Sequence, residues 1–107
     1  MFFGLEKRRI FAYGQAIDMR KSFDGLISLT LRELHEDPLS GYLFVFFNRR
    51  GNLIKALTWD RTGYCLFAKR LERGRFCLRN EFKKQELNEQ LFKLLLDGIE
   101  LGRKRRM

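Results

Sequence analysis

Residues 42–59 read YLFVFFNRRGNLIKALTW, an apolar run followed by a polar loop and a second, largely apolar run. The first run is apolar at every position, so a strand there must be covered on both of its alternating faces, as at the centre of a sheet. The loop contains asparagine and glycine, which favour hairpin connections. Residues 42–47 and 53–59 are therefore predicted to pair as antiparallel strands.

Two further turns extend this hairpin into a meander. Residues 60–63 (DRTG) form a tight turn that leads into a third strand at 64–71. Residues 72–74 (ERG) turn the chain again, into a fourth strand at 75–78. Short turns between apolar runs are typical of antiparallel sheets. A short apolar run at 10–13 is predicted to be an additional strand.

Two segments with helical spacing of apolar residues flank this strand-rich middle. The first helix is predicted at residues 19–35, with Asp18 as the N-cap whose carboxylate accepts backbone N–H groups. Its apolar stripe consists of Met19, Phe23, Leu26, Ile27, Leu31 and Leu34. Gly25 is expected to let this helix approach the sheet closely.

The closing helix is predicted to begin after Asn88, a favourable N-cap residue, and to end before Gly98. The side chains expected on its sheet-facing stripe are Leu87, Leu91, Leu94 and Leu95. Phe92 and Leu96 lie off this stripe, so they are predicted to form an interface with a second copy of the chain or another protein. Residues 80–87 are compatible with a loop, a short strand or an early start of the helix.

These elements predict one small α+β domain at residues 1–102. It consists of an antiparallel meander of about four to five strands, an amphipathic helix near the N-terminus and a closing C-terminal helix. The chain has 107 residues, which suits a single domain. Residues 103–107 are expected to form a disordered basic tail.

Composition favours a cytoplasmic protein without a cofactor. No apolar stretch approaches the roughly 20 residues that a membrane-spanning helix needs, and no apolar signal core follows the basic residues near the N-terminus. Cys65 and Cys77 are expected to be reduced thiols, or a disulfide if their strands are adjacent. A zinc site is not expected, because His35 is the only histidine.

No catalytic motif is present, and the chain is predicted not to be an enzyme. A metal-dependent nuclease needs several carboxylates that converge on two cations. Asp18 and Asp24 could meet at one end of a helix, while Asp37 and Asp60 belong to turns. A cryptic metal-dependent nuclease is therefore only a minor alternative.

The formal net charge is +9 and is unevenly placed. Residues 1–53 hold eight Lys and Arg against six Asp and Glu, whereas residues 54–107 hold fourteen against seven. A one-sided basic excess is the usual electrostatic sign of a polyanionic partner. The candidate nucleic-acid-binding residues are Arg49, Arg50, Lys55, Arg61, Lys69, Arg70, Arg73, Arg75, Arg103, Lys104, Arg105 and Arg106.

Each part of this basic set also has a structural explanation. The charges could form a solvated rim, and Arg70, Arg73 and Arg75 could pair with glutamates at 72, 81 or 86. The interleaved aromatics Trp59, Phe67 and Phe76 could stack on bases, although core packing explains most of them.

Several ordered stretches together resemble one known family. They are residues 18–26 (DMRKSFDGL), 41–46 (GYLFVF), 48–51 (NRRG), 69–76 (KRLERGRF), the positions Lys55, Leu57, Trp59, Asp60 and Gly63 between them, and 95–99 near the end. This pattern is similar to the accessory protein, often called TnpB, of insertion sequence sixty-six elements. The stretch after Phe76 departs from common members.

The resemblance implies a bacterial mobile element whose transposase, with an Asp-Asp-Glu active site, is encoded separately. It implies an accessory role and carries over no catalytic or binding residues. We therefore expect the chain to assist the transposase by binding DNA, such as the element ends. The alternative is a protein-only scaffold that contacts the transposase without touching DNA, and salt-dependent DNA binding separates the two.

Overall fold

The computed structural model describes residues 8–76 and 83–98. These residues form, in chain order, β1 (Ile10–Tyr13), α1 (Phe23–Arg32), β2 (Leu43–Phe47), β3 (Leu53–Asp60), β4 (Gly63–Arg70), β5 (Lys84–Leu87) and α2 (Glu89–Leu96). The α+β class and the placement of one helix on each side of the strand-rich middle are confirmed. Neither described helix has the length and apolar character needed to cross a membrane.

The five strands form a single sheet with the spatial order β4-β3-β2-β1-β5. β2 is the central strand, and all five of its residues are buried, as its uninterrupted apolar run predicts. β3 pairs antiparallel with both β2 and β4, which confirms the two predicted hairpins. The predicted antiparallel meander is thus found in three consecutive strands, β2, β3 and β4.

The rest of the sheet departs from an antiparallel meander. β1 pairs parallel to β2, and the connection between them passes through α1. Residues 84–87, which were compatible with several structures, form β5 antiparallel to β1. The strand predicted at 75–78 is not found at Arg75 and Phe76, and its remainder lies outside the described residues.

The two helices cover opposite faces of the sheet, so the core has two halves. Alternate residues of β1 show the division, since Ile10 and Ala12 lie in one half whereas Phe11 and Tyr13 lie in the other. The first half contains the buried side chains of α2, and the second contains those of α1. Both faces of the central strands are therefore covered, as a two-sided apolar strand requires.

α1 begins later than the apolar spacing suggested, and Asp18 is not its N-cap. The helix starts at Phe23 after the N-cap residue Ser22. The Asp18 carboxylate instead accepts the backbone N–H of Arg20 at 2.9 Å, a local turn that competes with helix formation. Lys55 stabilises this segment, because its Nζ donates to the carbonyl of Met19 at 2.8 Å.

The buried face of α1 also differs from the predicted stripe. Leu26, Thr30 and Leu34 are fully buried, with the Thr30 hydroxyl donating to the Leu26 carbonyl at 2.8 Å. Phe23 and Leu31 are 42% and 54% exposed. The prediction was wrong for these two, and it omitted Thr30, which satisfies its hydroxyl within the helix and is therefore buried as Leu26 is.

The surroundings of Gly25 are local. The nearest atoms to a Cβ at this position belong to the Lys21 side chain, the closest of them at 3.1 Å. Its small size therefore accommodates a local side chain.

α2 confirms both predicted ends but only part of the predicted face, since Leu95 is buried as expected. Asn88 caps it by accepting the Leu91 N–H at 2.7 Å, and Gly98 follows it with φ of +80°. The buried side chains are Phe92, Leu95 and Leu96, whereas Leu91 and Leu94 are 36% and 37% exposed. Leu87 misled the prediction, because it belongs to β5 and cannot define the phase of the helix.

The buried face of α2 predicts unequal costs for two leucine substitutions in the same helix. Leu96→Ala is expected to lower the free energy of unfolding by about 2–5 kcal/mol, since it leaves a cavity in the core. Leu94→Ala is expected to cost on the order of 1 kcal/mol, because much of that side chain is already in water. Urea unfolding of both variants measures the difference, and equal costs would contradict the assigned face.

Candidate nucleic-acid interface

The strand directions sort the basic candidates to two ends of the sheet. The β2–β3 loop carries Arg49 and Arg50, and it lies beside the end of β4 because Leu53 pairs with Arg70. Arg61 lies in the β3–β4 turn at the other end of these eight-residue strands, about 23 Å away at the usual rise per residue. We call the first end the arginine end, defined by Arg49, Arg50, Arg70, Arg73 and Arg75.

The segment that follows β4 folds back over the β2–β3 loop. The Leu71 N–H donates to the Asn52 carbonyl at 2.8 Å, and the Phe76 N–H donates to the Gly51 carbonyl at 2.6 Å. The Arg75 Nε donates to the Arg50 carbonyl at 3.1 Å. These three bonds bring residues that are 19 to 25 positions apart in sequence into one surface.

The β2–β3 loop is itself held by a side-chain network. The Asn48 Oδ1 accepts the backbone N–H groups of Asn52 and Leu53 at 3.1 and 3.0 Å, and its Nδ2 donates to the Asn52 side chain at 2.7 Å. Gly51 has φ of +74°, a conformation that favours glycine. The loop therefore presents its two arginines from a fixed backbone.

A cleft of about 180 Å³ opens at the arginine end, beyond the carboxyl ends of the parallel strands β1 and β2. Three largely buried aromatic residues line it, and two arginines contribute to its wall. The lining residues are Tyr13, Gly14, Gln15, Ala16, Phe47, Asn48, Arg49, Gly51, Arg75 and Phe76. Burial raises the pKa of Tyr13, so its phenol stays neutral near pH 7.

Two of the predicted binding lysines have structural partners. Lys55 donates to two backbone carbonyls in the segment before α1. The Lys69 Nζ donates to the Leu96 carbonyl at 2.7 Å, where a cation is favoured by the dipole of the ending helix. Both side chains therefore hold helices in place on opposite faces of the sheet.

The other described basic candidates form exposed ion pairs or none. Arg70 forms an exposed ion pair with Glu72 at 3.0 Å, and Arg61 approaches Asp60 at 3.9 Å. Exposed ion pairs of this kind contribute little to the stability of the fold, so their arginines can exchange one partner for another. Arg49, Arg50 and Arg73 are exposed, and within residues 8–76 and 83–98 none of their side chains forms an ion pair. Residues 103–106 lie outside the described part of the chain.

Glu86 is not a partner of the arginine end. Its carboxylate accepts two bonds from the Arg9 guanidinium, at 2.9 and 2.8 Å, and this pairing lowers the pKa of Glu86. Arg9 also stacks on the rings of Phe11 and Tyr42, with its Cζ 4.9 and 5.3 Å from the ring centroids. Of the three glutamates that could have neutralised the cluster, Glu72 alone does so among the described residues.

The aromatic candidates serve the fold. Phe76 is buried and packs on Phe47 with ring centroids 6.2 Å apart, and Phe67 packs against the same half of the core. The rings of Trp59 and Tyr64 pack edge to face with their centroids 5.1 Å apart, near the end of the sheet that carries Arg61. Core packing therefore accounts for Phe67 and Phe76, whereas Trp59 is half-buried and lies outside both halves of the core.

Asp18, an acidic residue considered for a metal site, has a basic partner. The Arg20 guanidinium binds Asp18 and lowers the pKa of that carboxyl to about 2. Among the described residues, no group of three or more His, Cys, Asp and Glu side chains is arranged to hold a metal ion. Cys65 is a half-buried free thiol in β4, and Cys77 lies outside the described residues.

Sequence reasoning missed the contribution of residues 13–16 to the cleft. These residues follow β1 and lie more than 30 positions before Arg49. A parallel β1–β2 pair joined by a crossover helix would have indicated their position, because the carboxyl ends of parallel strands meet at one edge.

Comparison with known proteins identifies relatives over nearly the whole chain. A family model described as IS66 Orf2 like protein matches residues 8–106. The chain is 49% identical over 59 residues to the uncharacterized protein y4hO of Sinorhizobium fredii, a match that covers 55% of this chain and 51% of that protein. It is 31% identical over 99 residues to y4jC of the same organism, covering 92% and 85%. No solved structure matches significantly.

The Asp18–Arg20 contact predicts a measurable titration. In the folded protein the pKa of Asp18 is expected near 2, against an ordinary value of 3.8. Because the folded value is depressed, its contribution to stability is present above about pH 4 and is lost as the pH falls toward 2. Carbon-detected NMR titration measures the value, which should rise in Arg20→Gln. A value that stays near 2 in that variant would contradict the assigned cause.

The position of Gly51 predicts a local effect on Arg75. A Cβ at Gly51 would lie 3.4 Å from the Arg75 Nε, whereas one at Gly74, which also has positive φ, would meet nothing within 4 Å. Ala at either position is expected to cost about 1–3 kcal/mol through backbone strain. Gly51→Ala alone should shift the Arg75 Nε–H NMR resonance, and equal shifts in both variants would contradict the contact.

Proposed function

This chain belongs to the IS66 Orf2-like family of transposon-associated accessory proteins, and on that premise we propose that it assists a separately encoded transposase by binding DNA through the arginine end. The observation that carries the DNA part of the proposal is the gathering of Arg49, Arg50, Arg73 and Arg75 on one loop surface. The family is one of accessory proteins and is not known for an enzymatic activity.

The charge balance of this surface favours a polyanion. Four of its arginines are exposed without a described acidic partner, and Arg70 has only an exposed pair that phosphate can replace. Arginine binds phosphate through two parallel N–H bonds, which makes it well suited to a DNA backbone. The net charge of +9 adds a long-range attraction that speeds encounter at low salt.

The shape of the surface favours contacts to phosphates over reading of base edges. In the described part of the chain, loops form the arginine end, while α1 and α2 lie on the faces of the sheet. A helix in the major groove is the commonest way to read bases, and loops that carry arginines suit the backbone. Sequence preference for element ends would then come from the transposase or from DNA shape.

A second candidate function is a protein scaffold that contacts the transposase without DNA. It is favoured by the exposed apolar side chains Phe23 and Leu31 on α1, and Leu91 and Leu94 on α2. Phe92 and Leu96, the residues first assigned to such a contact, are buried in this chain and cannot supply it without unfolding α2. A contact with the transposase or a second copy would use the exposed leucines instead.

The DNA proposal predicts how binding responds to salt. Arg50→Ala and Arg73→Ala should each flatten the slope of log affinity against log salt by about 1 unit, and together by about 2. Arg61→Ala, an equally exposed arginine at the other end of the sheet, should leave the slope unchanged. Fluorescence anisotropy with a duplex of the element end and an unrelated duplex measures these slopes. Absence of binding at low salt would leave the scaffold as the better function.

A further inference from the structure

We infer that the cleft between Arg49 and Arg75 is a phosphate-binding site that seats one phosphate group of the bound DNA strand, an inference that rests on the proposed DNA binding. Arg49 and Arg75 differ from the other arginines of the arginine end because both line the cleft. Arg50, Arg70 and Arg73 do not line it. The site differs from a diffuse basic surface by having a defined volume, a floor and an oriented donor.

The oriented donor is Arg75. Its Nε is occupied by the Arg50 carbonyl at 3.1 Å, which fixes the plane of the guanidinium. The two terminal nitrogens then keep four N–H donors, the number that can serve two phosphate oxygens. Because the Arg50 carbonyl belongs to the same loop as Arg49, this bond ties the Arg75 side chain to the loop that carries Arg49.

The floor of the cleft strengthens binding of an anion. Tyr13, Phe47 and Phe76 are 7%, 8% and 6% exposed, so the cleft is backed by the packed core and not by open solvent. Charges interact more strongly beside a low-dielectric wall than in water. Among the described residues, no acidic side chain that would oppose a phosphate lines the cleft.

The polar lining favours phosphate over a base. Asn48 could read a base edge, but its side chain is already bonded to Asn52 and to the backbone of Leu53. The cleft also lies beyond the carboxyl ends of the parallel strands β1 and β2, the location at which open α/β sheets bind ligands. The donors that remain available are therefore chiefly the two guanidinium groups.

One consequence distinguishes this site from independent surface contacts. The salt dependence of binding counts the phosphates that are neutralised. If Arg49 and Arg75 hold the same phosphate, their double substitution removes one such contact, so the slope should flatten by about 1 unit. Arg50 and Arg73, which lie outside the cleft, should together remove about 2 units.

The decisive variant fills the cleft without changing any charge. Ala16 is an exposed cleft residue, and Ala16→Phe places a ring where the phosphate would sit. DNA affinity should fall on the order of tenfold, as for the loss of a charge-assisted contact, and the salt slope should flatten by about 1 unit. Ala68→Phe, the same change at an exposed position of β4, is the matched control and should bind as the unmodified chain does.

A second measurement identifies the source of the phosphate. Titration of the full chain with inorganic phosphate, followed at the Arg75 Nε–H resonance by NMR, should shift that signal in the unmodified protein and not in Ala16→Phe. A shift with phosphate in a chain that does not bind DNA would support the site and overturn only the proposed function. A response to DNA alone that Ala16→Phe abolishes would assign the site to the phosphodiester.

Two results would overturn the site. The first is DNA binding in which Ala16→Phe and Ala68→Phe behave alike, which leaves the proposed function standing. The second is an Arg75 signal that neither inorganic phosphate nor DNA shifts. Thermal unfolding of both phenylalanine variants serves as the folding control, and if Ala16→Phe is unstable, Gln15→Trp at the neighbouring exposed cleft position provides the same test.

Discussion

The parallel pairing of β1 with β2 is the constraint on which the rest of this structure depends. Parallel neighbours cannot be joined by a tight turn, so the chain must cross one face of the sheet, and α1 makes that crossing. The opposite face is left for α2, which explains why the central strand is apolar on both sides. The same pairing brings the ends of β1 and β2 together, and the cleft opens there.

The basic residues of the chain fall into two groups with different physical roles. Lys55 and Lys69 bond to backbone carbonyls and hold the segments next to α1 and α2 against the sheet. The arginines of the loops keep most of their donors exposed, and Arg75 uses only its Nε within the fold. A count of charges along the sequence treats these groups alike, although their side chains have different partners in the fold.

The site was predictable in part. Arg49, Arg50 and the arginines after β4 are recognisable in the sequence, because loops flanked by apolar strands must be exposed. Their association with residues 13–16 was not, because it depends on which strand lies beside β2. Nor could the sequence show that Phe92 is buried and Leu91 exposed. In a helix of two turns, the predicted buried face depends on a few leucines, and Leu87, which was counted among them, belongs to a strand.

By itself, the sequence determined the elements with strong local signals: the fully apolar β2, the hairpins closed by turn residues, and the Asn88 and Gly98 ends of the last helix. These follow from burial patterns and backbone preferences within a few residues. Only the tertiary structure decided the parallel β1–β2 pair, the buried face of each helix, and which cations remain available. Those features depend on contacts between residues distant in sequence, such as the bond from Arg75 to the Arg50 carbonyl, whose energy no local pattern encodes.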